Sequence, residues 1–340
     1  MKKIRLNMER KDAYSCIGDT EFEDYMKSNV EPYLNQLKKS GLYEREEGKY
    51  LYFEGYMLED AIGTVIVSHG FTESIQKYKE VIYYFLKEHY NVFLMDHRGH
   101  GKSVRETGNS DFSLTHVESF SSYVEDFRGF IEEIVVDYAG TDNPFYIFAH
   151  SMGGAIAVRY LQMYPGRIQK AILSAPMLDI QMTMPQVEAE AIAYYMVKTG
   201  RGRCYIAGQT PFPGEAAFQE SSSSSKERYE YYFHKKLKNK ELQNNAGSYS
   251  WLYESIKIVK KIQKEKRKIQ IPICIFSAEK DELVKRAGQL AIAKKTPDSQ
   301  VVLVPESKHE IYMAPARIQR QYWRYIFHFL KDSRGYGYGI

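Results

Sequence analysis

A chain of 340 residues is long for one simple core, so a large domain carrying an insertion, or two domains, is expected. Apolar residues at 44% and charged residues at 26% exclude collagen-like, disordered and disulfide-scaffold classes, and a net charge of +4 over 47 basic and 43 acidic side chains is too dilute for a nucleic-acid surface. Cys16, Cys204 and Cys274 are widely separated and form no C-x-x-C pair, which points to a reducing, cytoplasmic compartment.

The N-terminus carries the positive charge of a signal peptide, but Arg5, Asn7, Glu9, Arg10, Lys11 and Asp12 interrupt any apolar segment. No run reaches the roughly 18 apolar residues that span a bilayer, so membrane contact is expected to be peripheral. Residues 21–40 predict an amphipathic helix ending near Gly41, and the alternation over 42–58 predicts a half-exposed antiparallel hairpin. The texture then changes. TVIVS (64–68), NVFLM (91–95), PFYIFA (144–149), KAILS (170–174) and IPICIF (271–276) are short and apolar, as strands buried on both faces are. Helical patterns separate them, the clearest being the stripe Phe120, Tyr123, Val124, Phe127, Ile131, Ile134 and Val135. Alternation of strand and helix predicts a mostly parallel central sheet.

That alternation lapses over 177–268, where helix-like stretches, Pro211, Pro213 and the serine run 221–225 stand instead. The expected organisation is a core of 1–176 and 269–334, an insertion at 177–268 and a flexible tail at 335–340. The serine run predicts a mobile loop.

The strongest chemical signal is PFYIFAHSMGG, an apolar strand running through Ser151 into a helix. It matches the G-x-S-x-G nucleophile elbow, with Ala149 in place of the first glycine; the competing reading makes Ser151 a helix cap. Gly70 and Phe71 follow an early strand, where such a site takes one oxyanion-binding amide, the other coming from the residue after the nucleophile. Phe71 and Met152 occupy those positions. MDHRGHGKS (95–103) is not a phosphate loop, because Asp96 stands where the first glycine must be, and neither a metal motif nor a cofactor site is expected there. The base and its orienter should follow later strands in the order acid, then histidine. Asp281 after IPICIFSA and His309 after VVLVPESK fit; Glu279 and Asp179 are rival acids, and His328 lies in an aromatic helix, where packing is its ordinary role.

Taken together, SHGF, DHRGHGKS, AHSMGG, LSAPML, EKDELV and ESKHEIY resemble the branch of α/β-hydrolases containing monoacylglycerol lipases and L2-type lysophospholipases, within the S33 serine aminopeptidase group. The resemblance covers roughly 45–178 and 268–330. It implies the α/β-hydrolase fold, a cofactor-free triad of Ser151, Asp281 and His309, oxyanion donors at Phe71 and Met152, and a cap at 177–268 that selects the substrate. A small-molecule ester, a single-chain lipid, is the implied substrate. Met177, Leu178, Met182, Tyr195 and Met196 are the candidate acyl-chain contacts, although each equally fits the cap's own core. WLYESIKIVKKIQKEKRK (251–268) reads as a basic amphipathic helix, suited to an anionic membrane or packed on its own domain. Two further readings remain open: an aminopeptidase using Glu188, Glu190 or Glu215 to hold a substrate ammonium, and a binding protein without turnover.

Overall fold

The computed structural model describes residues 1–10, 12–108 and 110–332, so the tail expected at 335–340 lies outside the described residues. Its strands are β1 (Lys2–Arg5), β2 (Lys38–Glu46), β3 (Lys49–Tyr56), β4 (Gly63–Ser68), β5 (Tyr90–Met95), β6 (Leu114–Thr115), β7 (Phe145–His150), β8 (Ile168–Ser174), β9 (Ala246–Gly247), β10 (Ile273–Ala278) and β11 (Gln300–Val304). Nine of them form one sheet in the order β1, β11, β10, β8, β7, β4, β5, β3, β2. Pairs from β1 across to β5 are parallel, and β3 pairs antiparallel with both β5 and β2. Every residue of β4, β5, β7 and β10 is buried, which is why those runs carry no polar alternation.

Helices α1 (Phe22–Tyr25) and α2 (Glu31–Leu37) join through a π turn into one stretch. Then come α3 (Lys79–Lys87), α4 (Phe120–Gly129), α5 (Val136–Ala139) and α6 (Ser151–Met163), interleaved with strands. Between β8 and β10 stand α7 (Gln186–Lys198), α8 (Lys226–Lys238) and α9 (Tyr249–Lys264), and α10 (Arg286–Ala293) and α11 (Ala316–Lys331) follow.

Two expectations are corrected. The first helix ends at Leu37 rather than near Gly41, because Lys38 already pairs with Tyr56 and Gly41 lies inside β2. Residues 2–5, on which the sequence pattern makes no prediction, form an edge strand parallel to β11. Lysines on an edge strand block further pairing, so charge and strand are compatible there. The serine run is no mobile loop: Ser223 is fully buried and donates its Oγ–H to the carbonyl of Met313 at 3.1 Å, and Ser225 caps α8 by accepting from the Arg228 amide. Polar pairing orders a segment that apolar burial alone would not. Of the two readings of 251–268, packing on its own domain accounts for the apolar face of α9, since Ile256, Val259 and Ile262 are buried.

The stretch ending in α9 is fastened to the core by polar contacts. β6 and β9 pair, Asn244 donates to the Gly99 carbonyl at 2.8 Å, and Ser250 donates to the Val117 carbonyl at 2.8 Å.

Candidate active site

β7 lies between β4 and β8 in the sheet, and the chain turns sharply from His150 at its end into α6. Ser151 makes that turn with φ 49, a left-handed backbone that a side chain tolerates only when its surroundings enforce it. Enforcement comes from close packing. A Cβ on Gly153 would lie 2.2 Å from the carbonyl oxygen of Ser68, so glycine alone lets α6 approach the end of β4. The Ser151 carbonyl accepts from the Met177 amide at 2.9 Å, tying the turn to the loop after β8. Ala149 is fully buried and paired with Ser68 and Leu173, and its methyl leaves this geometry in place.

His309 follows β11 and Asp281 follows β10. His309 Nδ1 donates to both carboxylate oxygens of Asp281, at 2.9 and 3.0 Å. Asp281 also accepts the amides of Leu283 at 3.0 Å and Val284 at 3.1 Å. Burial pushes its carboxyl up, but the hydrogen bond and charge of His309 and the two amides outweigh burial and hold it below the usual carboxylate range. The rival acids are elsewhere: Glu279 pairs with Arg5 at 2.7 Å and Asp179 lies 3.8 Å from Lys285. His309 Nε2 is buried without a hydrogen-bond partner among the described residues, and His309 and Ser151 line one cavity of about 490 Å³.

Phe71 lines the same cavity. Its ring stacks on Trp251 with centroids 4.0 Å apart, and the Trp251 indole N–H donates to the sulfur of Met152 at 3.4 Å. One α9 side chain therefore bridges the two loops whose amides follow Gly70 and Ser151.

The apolar part of the wall is formed by Met177, Ile180, Met182, Met184, Ile192 and Leu252. Leu178, Tyr195 and Met196 are not among the lining residues. Leu178 is buried in the core and Tyr195 points away from it at 63% exposure; Met196 is half-buried on α7. Sequence reasoning missed Trp251, Ser222, Glu73 and Glu310, all of which line the cavity. None had a local signal, because each gains its place through a partner distant in sequence.

An elbow serine and an aspartate-bound histidine above a mostly parallel sheet define the chain as an α/β-hydrolase with a serine-hydrolase arrangement. The family model for serine aminopeptidase, S33, matches residues 59–315, and the chain belongs to that family. Within it the chain lies in the branch of monoacylglycerol lipases and lysophospholipases. It is 26% identical over 315 residues to the probable lysophospholipase L2 of Haemophilus influenzae, covering 92% of this chain and 98% of that one. It is 30% identical over 231 residues to the lysophospholipase L2 of Escherichia coli, covering 65% of this chain and 64% of that protein. The fold is similar to that of a soluble variant of the monoglyceride lipase of Saccharomyces cerevisiae, with a TM-score of 0.71 at 17% identity over 87% of this chain and 95% of that one.

Proposed function

We propose that this protein hydrolyses carboxylic esters of single-chain lipids, lysophospholipids or monoacylglycerols, through an acyl-enzyme on Ser151. The observation that carries the reading is the placement of Ser151 and an aspartate-bound His309 on the wall of a cavity that is otherwise largely apolar. His309 Nε2 takes the Ser151 proton, and the alkoxide attacks the ester carbonyl. The amides of Phe71 and Met152 hold the oxyanion, and His309 then protonates the leaving alcohol. Water activated by the same nitrogen releases the fatty acid. Asp281 fixes the imidazole tautomer and stabilises its cation.

The stretch 177–268 acts in this reading as the cap that selects the acyl chain, with Met182, Met184 and Ile192 as its contribution to the wall. The apolar part of the membrane contact falls to α7 and the basic part to the exposed lysines of α9. Val187 and Tyr195 are 74% and 63% exposed, and the exposed Lys257, Lys260, Lys261 and Lys264 lie on the adjoining α9. Among the described residues no helix is long and apolar enough to cross a membrane; the exposed apolar and basic side chains of this face support peripheral contact with an anionic membrane, and we place the protein in the cytoplasm. An aminopeptidase is disfavoured, because Glu188, Glu190 and Glu215 do not line the cavity and Glu190 is paired with Lys260.

Each buried methylene is worth about 0.8 kcal/mol, so four more carbons against the apolar wall should raise kcat/KM by about two orders of magnitude. The test is kcat/KM for monoacylglycerols and lysophospholipids from four to sixteen carbons, below micelle formation. A profile that peaks at the shortest acyl chains would replace the lipid reading with a small-ester hydrolase, and aminoacyl amides turned over faster than esters would restore the aminopeptidase. Val187→Asp with Lys260→Gln and Lys261→Gln should weaken binding to anionic vesicles while leaving turnover of a soluble ester unchanged.

A further inference from the structure

Glu73 sits in the turn after β4, is 3% exposed, and is surrounded by donors from three separate parts of the chain. Oε2 accepts the Gly70 amide at 2.6 Å and the Tyr78 hydroxyl at 2.5 Å, and lies 3.2 Å from His150 Nδ1. Oε1 accepts the Tyr312 hydroxyl at 2.7 Å and Lys77 Nζ at 3.1 Å, and Lys77 donates onward to Glu310 at 2.6 Å. Burial pushes this carboxyl up, but the Lys77 charge and the hydrogen bonds prevail and hold it well below its ordinary value, so an anion occupies the position.

The contacts have a pattern that a buried ion pair alone does not require. Gly70 precedes Phe71, the oxyanion donor. His150 precedes Ser151, and its Nε2 reaches the carbonyl oxygen of His309 at 3.4 Å, with the two imidazole rings 4.8 Å apart. Glu310, reached through Lys77, follows His309. The carboxylate thus touches the chain neighbour of each reacting group, directly or through one lysine, and touches none of the reacting groups themselves. Position 70 is open for this purpose, since a Cβ there would lie 2.8 Å from both Glu73 Oε2 and His150 Nδ1.

We infer that Glu73 is a positioning residue that holds the oxyanion loop, the nucleophile elbow and the histidine loop in mutual register, an inference that rests on Ser151 being the nucleophile. A misplacement of about 1 Å among reacting groups costs about a hundredfold in rate, and that is the scale of slack available to three loops when their shared anchor is lost. Such slack lowers turnover at each correctly folded site. A purely structural role would instead lower the number of folded sites.

The experiment separates the two by counting active serines with a fluorophosphonate probe and expressing kcat on p-nitrophenyl butyrate per labelled serine, in the full chain. Glu73→Gln should reduce kcat per labelled serine about a hundredfold and slow labelling in proportion, with KM changed less than about threefold; Glu73→Asp, which keeps the anion, should recover part of the loss. Lys77→Met, which removes the link to Glu310 together with one donor and the neighbouring positive charge of Glu73, should reduce kcat per labelled serine at least about tenfold and serves if Glu73→Gln does not fold. Normal kcat per labelled serine in these variants, with only fewer labelled sites or an altered KM, would overturn the positioning role. A wild-type chain that takes no label would overturn the nucleophile assignment and this inference with it, a result seen before any variant is compared.

Discussion

Trp251 lies flat against Phe71, with ring centroids 4.0 Å apart and planes at 29°. The same indole donates its N–H to Met152, so a residue of α9 braces both loops that present the candidate oxyanion amides. These amides act only if they are fixed before the charge develops. Trp251→Ala should therefore lower kcat on a short soluble ester by about ten- to a hundredfold, and Trp251→Phe, which keeps a ring for Phe71 but loses the N–H, should cost less. Steady-state kinetics on p-nitrophenyl acetate decide it, because a short acyl group makes little use of the cavity wall. Unchanged kcat in the alanine variant would remove Trp251 from the oxyanion machinery.

Asp281 is the carboxylate on His309, while Asp179 and Glu279 face lysine and arginine. Asp281→Asn should cost about 10⁴ in turnover with the fold retained, since the asparagine amide forces the wrong imidazole tautomer. Asp179→Asn and Glu279→Gln should each stay within about threefold of wild type, as changes to partly exposed pairs do. Circular dichroism and kcat measured on the same preparations check the set. A crippled Asp179→Asn beside an active Asp281→Asn would reverse the assignment.

Strands such as NVFLM and PFYIFA were legible in the sequence because burial on both faces removes every polar residue, leaving a signal within a few positions. The Ser151 turn was legible for a related reason, as strand, small residues and helix are contiguous. Asp281 could not be separated from Asp179 by chain order alone, because both follow strands and only the approach of His309 distinguishes them. Glu73, Trp251 and Ser223 were not legible at all. Their roles depend on His150 and Tyr312, on Met152, and on Met313, and no local pattern records a contact made across 77 to 239 positions. Met177 and Met182 line the cavity whereas Tyr195 and Met196 do not, because helical periodicity does not say which face of α7 turns toward it.

Ser223 is fully buried beneath the loop that carries His309, and its hydroxyl meets the Met313 carbonyl at 3.1 Å. Ser223→Val fills a similar space but leaves that carbonyl without its donor, at a cost of about 1–3 kcal/mol. Urea unfolding should move to a lower midpoint with an unchanged slope. Ser221→Ala should be nearly silent, since Oγ of Ser221 makes only a 3.4 Å contact to the Ser223 carbonyl. Equal stability of the Ser223→Val and wild-type chains would return this segment to the mobile loop its composition suggests.

Asp96 directly follows β5 as a buried carboxyl that accepts the amides of Ile75 at 2.8 Å and Lys102 at 3.0 Å. Burial pushes its pKa up to about 7, against the pull of those two amides. An unfolded aspartate titrates near ~3.9, so the folded chain holds this proton more tightly than the unfolded one. Its contribution to stability is accordingly complete below about pH 4 and is lost as pH rises through about 7. Asp96→Asn lacks that titration. The variant's own cost is independent of pH, because its amide N–H₂ must face one of the two backbone N–H groups, while its deficit relative to wild type should shrink as pH rises and wild-type Asp96 loses its contribution. Between pH 4 and 7 the difference in unfolding free energy, variant minus wild type, should climb by about 1.4 kcal/mol per unit at most. Taking the difference cancels the acids common to both chains, including Asp281, whose depressed pKa acts in the opposite direction. Denaturant titrations at half-unit steps from pH 4 to 8 measure it, and a difference that stays flat across that window would mean that Asp96 is ionised throughout.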